Sequence, residues 1–278
     1  MIRRDVQLAD GSPGWALISQ IEHARISAQL ASHCRGRFSA ESASLIRDEV
    51  LVAIAAHDDG WREWEEAPRL DAKLGRPLSF MELEVGDATA IWSRSIAAAK
   101  EIGPLAAWMT SGHFIRLLEH SEHARFEPRA QAWLAELTSR REAWFSEWKS
   151  YDPDARDRAV ADEALEWLWG FDEASLWFCC RCPTGGEVRS DAKEPYVAGR
   201  GTPVEMALSG AGAAVADQPD RGVAHAAPWR FDVAAIEIEA DALLVPAQRY
   251  GSPRDLLAGG RPETLRWRLA TDPALRHV

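Results

Sequence analysis

No apolar run in this chain of 278 residues approaches the roughly 20 needed to span a bilayer. The opening residues, Met1-Ile2-Arg3-Arg4-Asp5, lack the apolar centre of a signal peptide, so the expected location is the cytoplasm, with no membrane partner. Cysteine is scarce. There are four, three of them crowded at Cys179, Cys180 and Cys182, which is not the spread pattern of a secreted disulfide framework. Basic residues are outnumbered, 32 Lys and Arg against 43 Asp and Glu for a net charge of −11. That balance argues against a nucleic-acid backbone as the main partner. A small phosphorylated ligand stays allowed, because a metal and a few arginines can reverse the potential locally. Internal repeats and long low-complexity segments are also missing.

What is present is ordinary soluble-protein material: 46% hydrophobic and 27% charged residues, on a chain long enough to bury a sizeable core. The exception is tryptophan, with 13 residues spread from Trp15 to Trp267. Such a spread fits core and groove-lining bulk better than a dedicated stacking platform.

Residues 2–19 read as two short strands around the turn Asp10-Gly11-Ser12-Pro13-Gly14. Helical periodicity then predicts helices near 21–34, 43–59, 87–101, 105–119, 127–149 and 154–170, with Gly60 as a helix stop and Gly170 leading onward to Phe171-Asp172. Ser79 to Glu82 has the spacing of a capping box. After Cys182 the chain turns rich in Gly, Pro, Ala and Ser as far as Asp220, an irregular connection with a strand near 204–208. Phe231 to Glu239 and Leu265 to Leu269 alternate with period two. They predict two antiparallel strands with Glu237/Glu239 facing Arg266/Arg268 on the wet side. The expected layout is mainly α: a helical domain over 1–182 with N-terminal strands, and a β-containing extension over 183–278 packed on the same body, the small antiparallel β region being built from both ends of the chain. A homodimer is compatible with it.

The stretch Ala55-Ala56-His57-Asp58-Asp59-Gly60-Trp61 organises the chemistry. His57 lies on the buried side of its helix, three residues after Ile54 and seven after Val50. A neutral imidazole beside a carboxylate on the wall of a core is how a protein presents ligands to a divalent metal. Taken with His23 in the first turn of an earlier helix and Asp172 at the start of a later one, the order is H…HD…D. This order resembles the HD-domain superfamily of metal-dependent phosphohydrolases, which are all-helical.

The resemblance is closer to an uncharacterised bacterial family related to that superfamily. Its shared motifs stand here as Gln20-Ile-Glu-His23, His57-Asp-Asp-Gly-Trp61, Ser111-Gly-His113 and Asp172-Glu-Ala-Ser-Leu176, covering roughly residues 2–182. A looser match is Glu136…Arg140. The resemblance implies an HD-like helical bundle and a metal site on His23, His57, Asp58 and Asp172. One or two divalent ions are expected, with Mn, Fe, Mg, Ni and Zn not distinguished.

Two imidazoles and two carboxylates leave open positions for water and a substrate oxygen, and bound water then loses a proton near neutral pH. Asp58 either holds one metal or bridges two. His113 either ligates a second ion or stays unligated and handles a phosphate or a leaving-group proton; His120 ranks behind it. Asp59, Trp61, Trp64 and Arg140 are expected along the substrate groove. The expected function is hydrolysis of a small phosphoester, with Asp58 and His113 catalytic. Asp59-Gly60-Trp61 replaces the lysine motif of many HD enzymes, so nucleotide phosphodiesterase activity is not implied. One alternative is a di-iron oxygenase, which would recruit His113 with His120 or His123; another is a non-catalytic metal- or ligand-binding protein. Cys179-Cys-Arg-Cys182 has the spacing of a zinc or redox pair. With no second pair in the chain, packing of small thiols at a helix end is the expected role.

Overall fold

Residues 2–18 form the expected hairpin, β1 (Ile2–Gln7) against β2 (Pro13–Ile18), with Ile2 opposite Ile18. Its turn is set by Asp10, whose carboxylate accepts from Ser12 N and Oγ at 2.9 and 2.7 Å, and by Gly11 at φ +82°, a conformation that favours glycine. The structure is a computed structural model and describes residues 1–39, 44–121, 126–184, 195–211 and 221–271.

The helices α1 (Gln20–His33), α2 (Ser44–Ala56), α4 (Val85–Ile102), α5 (Pro104–His120) and α6 (Pro128–Ser150) lie within a few residues of their expected bounds, with a short α3 (Arg62–Glu66) between the second and fourth. The seventh departs from expectation. Helix α7 runs unbroken from Arg158 to Cys180, so Asp172 sits mid-helix rather than at a helix start. Gly170 does not end it. The glycine admits a neighbour instead, since a Cβ there would stand 2.3 Å from Val204 Cγ2 and 3.3 Å from Gly199 Cα.

The expected fold class is overturned. Instead of an HD-like, mainly α bundle with a small antiparallel β region, the chain carries a seven-stranded mixed sheet and is an α/β protein. The later strands are β3 (Tyr196–Ala198), β4 (Met206–Ala211), β5 (Arg221–Ala227), β6 (Ala235–Pro246) and β7 (Arg261–Thr271), with a short α8 (Pro253–Ala258) before the last. The spatial order is β1-β2-β6-β7-β5-β4-β3, antiparallel throughout except for the parallel β5–β7 pair. The β6–β7 register pairs Glu237 with Arg268 and Glu239 with Arg266, as the alternation predicted, and both pairs close as ion pairs. Strand β5 escaped notice because it buries only Gly222, Ala224 and Ala226, small residues with little strand preference.

Helices and sheet share one core. Phe178 of α7 meets Trp267 of β7 edge-on at 5.9 Å between centroids, and Trp267 Nε1 donates to Cys182 O at 3.2 Å. The buried Arg4 of β1 donates to Phe178 O at 3.2 Å. These contacts seat α7 on the sheet. Strand β2 feeds directly into α1, whose N-cap Ser19 accepts from Glu22 N at 2.9 Å. Thus α1 and α7, both anchored by the sheet, bring their inner faces together.

Candidate metal centre

Helix α2 stops at Ala56, and His57 and Asp58 form the turn that follows, before a short 3-10 segment over Asp59–Trp61. Gly60 does not act as a left-handed stop. It lies against α4, where Gly60 N donates to Ser95 Oγ at 3.0 Å. His23 comes from the first turn of α1, Asp172 from the middle of α7, and His113 from α5. All five side chains are buried.

Their ligand atoms converge. His23 Nε2 is 3.0 Å from Asp58 Oδ2 and 3.5 Å from Asp172 Oδ1. His57 Nε2 is 3.2 Å from Asp172 Oδ1 and 3.7 Å from Asp58 Oδ2, and His113 Nε2 is 3.8 Å from Asp172 Oδ1. Two triads can each hold an ion, His23–His57–Asp58 and His57–His113–Asp172, and they share His57.

The far side of each imidazole decides what the near side can do. His57 Nδ1 donates to Ile54 O at 2.7 Å. Ser175 Oγ donates to Asp172 O at 2.9 Å and so accepts from His23 Nδ1, 2.8 Å away. With the ring proton on Nδ1, each neutral ring turns an Nε2 lone pair toward a carboxylate oxygen. Lone pair facing lone pair is repulsive, so something positive must stand between them: a metal ion or, without one, a proton on Nε2. A metal with ligands at about 2.1 Å sets neighbouring ligand atoms about 3 Å apart, close to the spacings here. The donor set fits a divalent ion.

In the metal-free site a proton takes that place on His57. Burial alone would lower the His57 pKa, but the Asp58 and Asp172 carboxylates outweigh it and raise it to about 9. Burial would likewise raise Asp58 and Asp172; the surrounding imidazoles prevail and hold both carboxyls below the usual range. His113 differs: burial dominates and pushes it down to about 4, leaving a neutral ring whose Nδ1 has no hydrogen-bond partner among the described residues.

A cavity of about 600 Å³ opens on this centre. His23, Asp58, His113 and Asp172 form its floor, and Trp61 is on its wall. The other expected groove residues lie elsewhere. Asp59 pairs with Arg62 at 2.8 Å, and Trp64 carries Arg69 over its ring at 4.7 Å beside a separate shallow depression. Arg140 is exposed near Glu136 and Trp144, away from the centre. His120 reaches only the cavity's rim, its Nδ1 donating to Arg116 O at 2.7 Å. His123 lies outside the described residues, as do Gly185 and Gly186. Cys34, Cys179 and Cys182 are buried.

Ser175, Ser27 and Gln20 adjoin the centre, and sequence reasoning assigns none of them a role. Ser27 Oγ lies 2.7 Å from Ser175 Oγ behind His23, and Gln20 lines the cavity. Ser175 and Gln20 stand inside the quoted motifs, three residues after Asp172 and three before His23. Helical spacing of three puts each beside its ligand.

Over residues 1–247 the chain matches, and therefore belongs to, the family described as "Protein of unknown function (DUF3891)". No curated protein and no solved structure matches it. Among the described residues, no helix is long and apolar enough to cross a membrane.

Proposed function

We propose that this member of the family is a metal-dependent hydrolase, with one divalent ion held by His23, His57, Asp58 and Asp172 and His113 as a fifth ligand. The observation that carries the reading is the pair of imidazole Nε2 atoms 3.0 and 3.2 Å from carboxylate oxygens while Ser175 Oγ and Ile54 O fix their far nitrogens. Such support behind a ligand sets ring orientation and tautomer at metal sites. The order His…His-Asp…Asp is also that of the HD superfamily, and we include that relationship in the proposal.

When bound, the ion supplies Lewis-acid activation, bringing the pKa of water down toward neutrality. The protein supplies the rest. The Asp58 carboxylate, at the cavity floor, accepts the proton of the attacking water. His57, closed off from the cavity, holds the carboxylates in place. Trp61 and the apolar wall limit access of bulk water. The two triads share His57, whose Nδ1 is taken by Ile54 O and whose one remaining nitrogen can hold only one ion, which favours a single ion over a pair. The histidine-rich second site that a di-iron oxygenase needs has only the rim residue His120 to draw on among the described residues.

Elemental analysis of protein purified without added metal tests the reading. One divalent ion per chain is expected, lost in His57→Ala and Asp58→Ala together with turnover. Protein that hydrolyses at full rate after chelation and dialysis would overturn it.

A further inference from the structure

The cavity over the centre has two unlike ends. Its floor is polar: the His and Asp groups, plus Gln20, which is only 4% exposed and whose Oε1 has no hydrogen-bond partner among the described residues. Its walls are Trp61, Phe80, Trp92, Phe114, Leu117 and Leu176, with Met81 at the mouth. No Lys or Arg lines it among the described residues.

Charge counting over the described residues then disfavours one substrate class. Ligands bind a metal in their deprotonated forms, so Asp58 and Asp172 together cancel a divalent ion's two positive charges, and the imidazoles add none. A phosphate monoester dianion would enter an apolar chamber with no net counter-charge, at a steep desolvation cost. An uncharged molecule carries no such penalty and gains from every apolar group that it buries. A volume of about 600 Å³ falls within the range that holds small organic ligands.

Resting on the metal-hydrolase reading above, we infer that the substrate is an uncharged carboxylic ester or amide with an apolar body. Its carbonyl sits at the His/Asp floor beside the Gln20 amide, and its body lies against Trp92, Phe114 and Leu117. The reaction needs no further co-reactant. Water oxygen bonds to the carbonyl carbon, the bond from that carbon to the leaving oxygen or nitrogen breaks, and the proton taken by Asp58 passes to the leaving group. Small phosphoesters, the class that the ligand order alone suggests, find no Lys or Arg seat among the described residues.

The test uses the metal-loaded full chain and two readouts. In calorimetric titration, octanohydroxamate and acetohydroxamate share a metal-seeking head and differ by six methylenes, so octanohydroxamate is expected to bind at least about a hundredfold more tightly, and up to about three-thousandfold if the whole tail is buried. Phenylphosphonate is expected to bind more weakly than either. In turnover, kcat/KM for p-nitrophenyl octanoate exceeds that for the acetate by a similar factor, and p-nitrophenyl phosphate is not hydrolysed above the rate with metal alone. Met81→Glu, at a position 76% exposed where folding is not at stake, weakens octanohydroxamate tenfold or more and leaves acetohydroxamate and metal content unchanged. Equal affinity for the two hydroxamates, or a preference for phenylphosphonate, in protein carrying one ion per chain overturns the inference and leaves the metal centre standing. A chain-length preference in protein that takes up no metal does the reverse, supporting the apolar ligand and overturning the centre.

Discussion

Gly60 and Ser95 are pressed together: a Cβ on Gly60 would stand 2.3 Å from Ser95 N and 2.4 Å from Ile91 O. Both are backbone atoms of α4, with no rotamer to yield. Gly60→Ala is therefore expected to cost about 1–3 kcal/mol through overpacking and to lower the urea midpoint. Because His57 and Asp58 lie only three and two residues before Gly60, metal content should fall with it. An alanine variant with wild-type midpoint and wild-type metal content would show that the close approach is dispensable.

Ser175→Ala removes the group that accepts from His23 Nδ1 while leaving every proposed ligand in place. Metal affinity measured by chelator competition is expected to drop ten- to a hundredfold, the usual effect of losing a partner behind a ligand. The urea midpoint of metal-free protein should move much less. Unchanged affinity would mean that the serine does not orient the ring.

Acid and base act on the metal-free protein through different histidines. His57 is held at about 9 when folded, against about 6.5 when unfolded. A pKa raised on folding contributes stability that is complete below 6.5 and lost as pH climbs through 9, on the order of 3 kcal/mol. His113, pushed down to about 4, has the opposite sign: the unfolded chain takes its proton first, so stability falls as pH drops from 6.5 toward 4. Metal-free protein should therefore be most stable near pH 6.5. A bound divalent ion replaces the proton between His57 and the carboxylates, so the alkaline decline should vanish. Urea midpoints at pH 5, 6.5 and 9, with and without chelator, test both arms; a flat profile without metal would refute them.

Three of the four cysteines should be silent in the folded state. Cys34 is buried and its thiol pushed up to about 12, and burial raises Cys179 well above its ordinary value; Cys182 is equally enclosed. Only thiolate is nucleophilic. Iodoacetamide at pH 7.5 followed by mass mapping should modify at most Cys180, with the others labelled only after denaturation. Rapid native labelling at Cys179 would contradict the packing.

The five residues brought together at the centre were all legible as candidates, because each stands in a short motif whose chemistry is local. His57-Asp58 announces a ligand pair by adjacency, and His23 and Asp172 join it through their order along the chain. What stayed hidden was relational. The cavity wall draws on Phe80, Trp92, Phe114 and Leu176, four separate segments that no spacing rule connects. The sheet was underread because Gly222, Ala224 and Ala226 alternate without the size contrast that marks a strand. Gly170 looked like a helix end because its real task, admitting Val204, is a tertiary contact. The indole of Trp64 and the looser Glu136…Arg140 match suggest groove residues, and the fold turns both to other faces.

The pairing of β2 with β6 sets Ala16 opposite Leu244, so the strand that leads into α1, already paired with β1 on one side, finds its second neighbour more than two hundred residues later. Contacts so distant in sequence form slowly, since a long loop must close before they return any energy. During synthesis His57, Asp58 and His113 emerge and can collapse locally, while the strand that steadies His23 waits for residues 235–246. By this logic the metal centre should become complete only once β2 and β6 have paired, and an ion captured there would report that strands from the two ends of the chain have met.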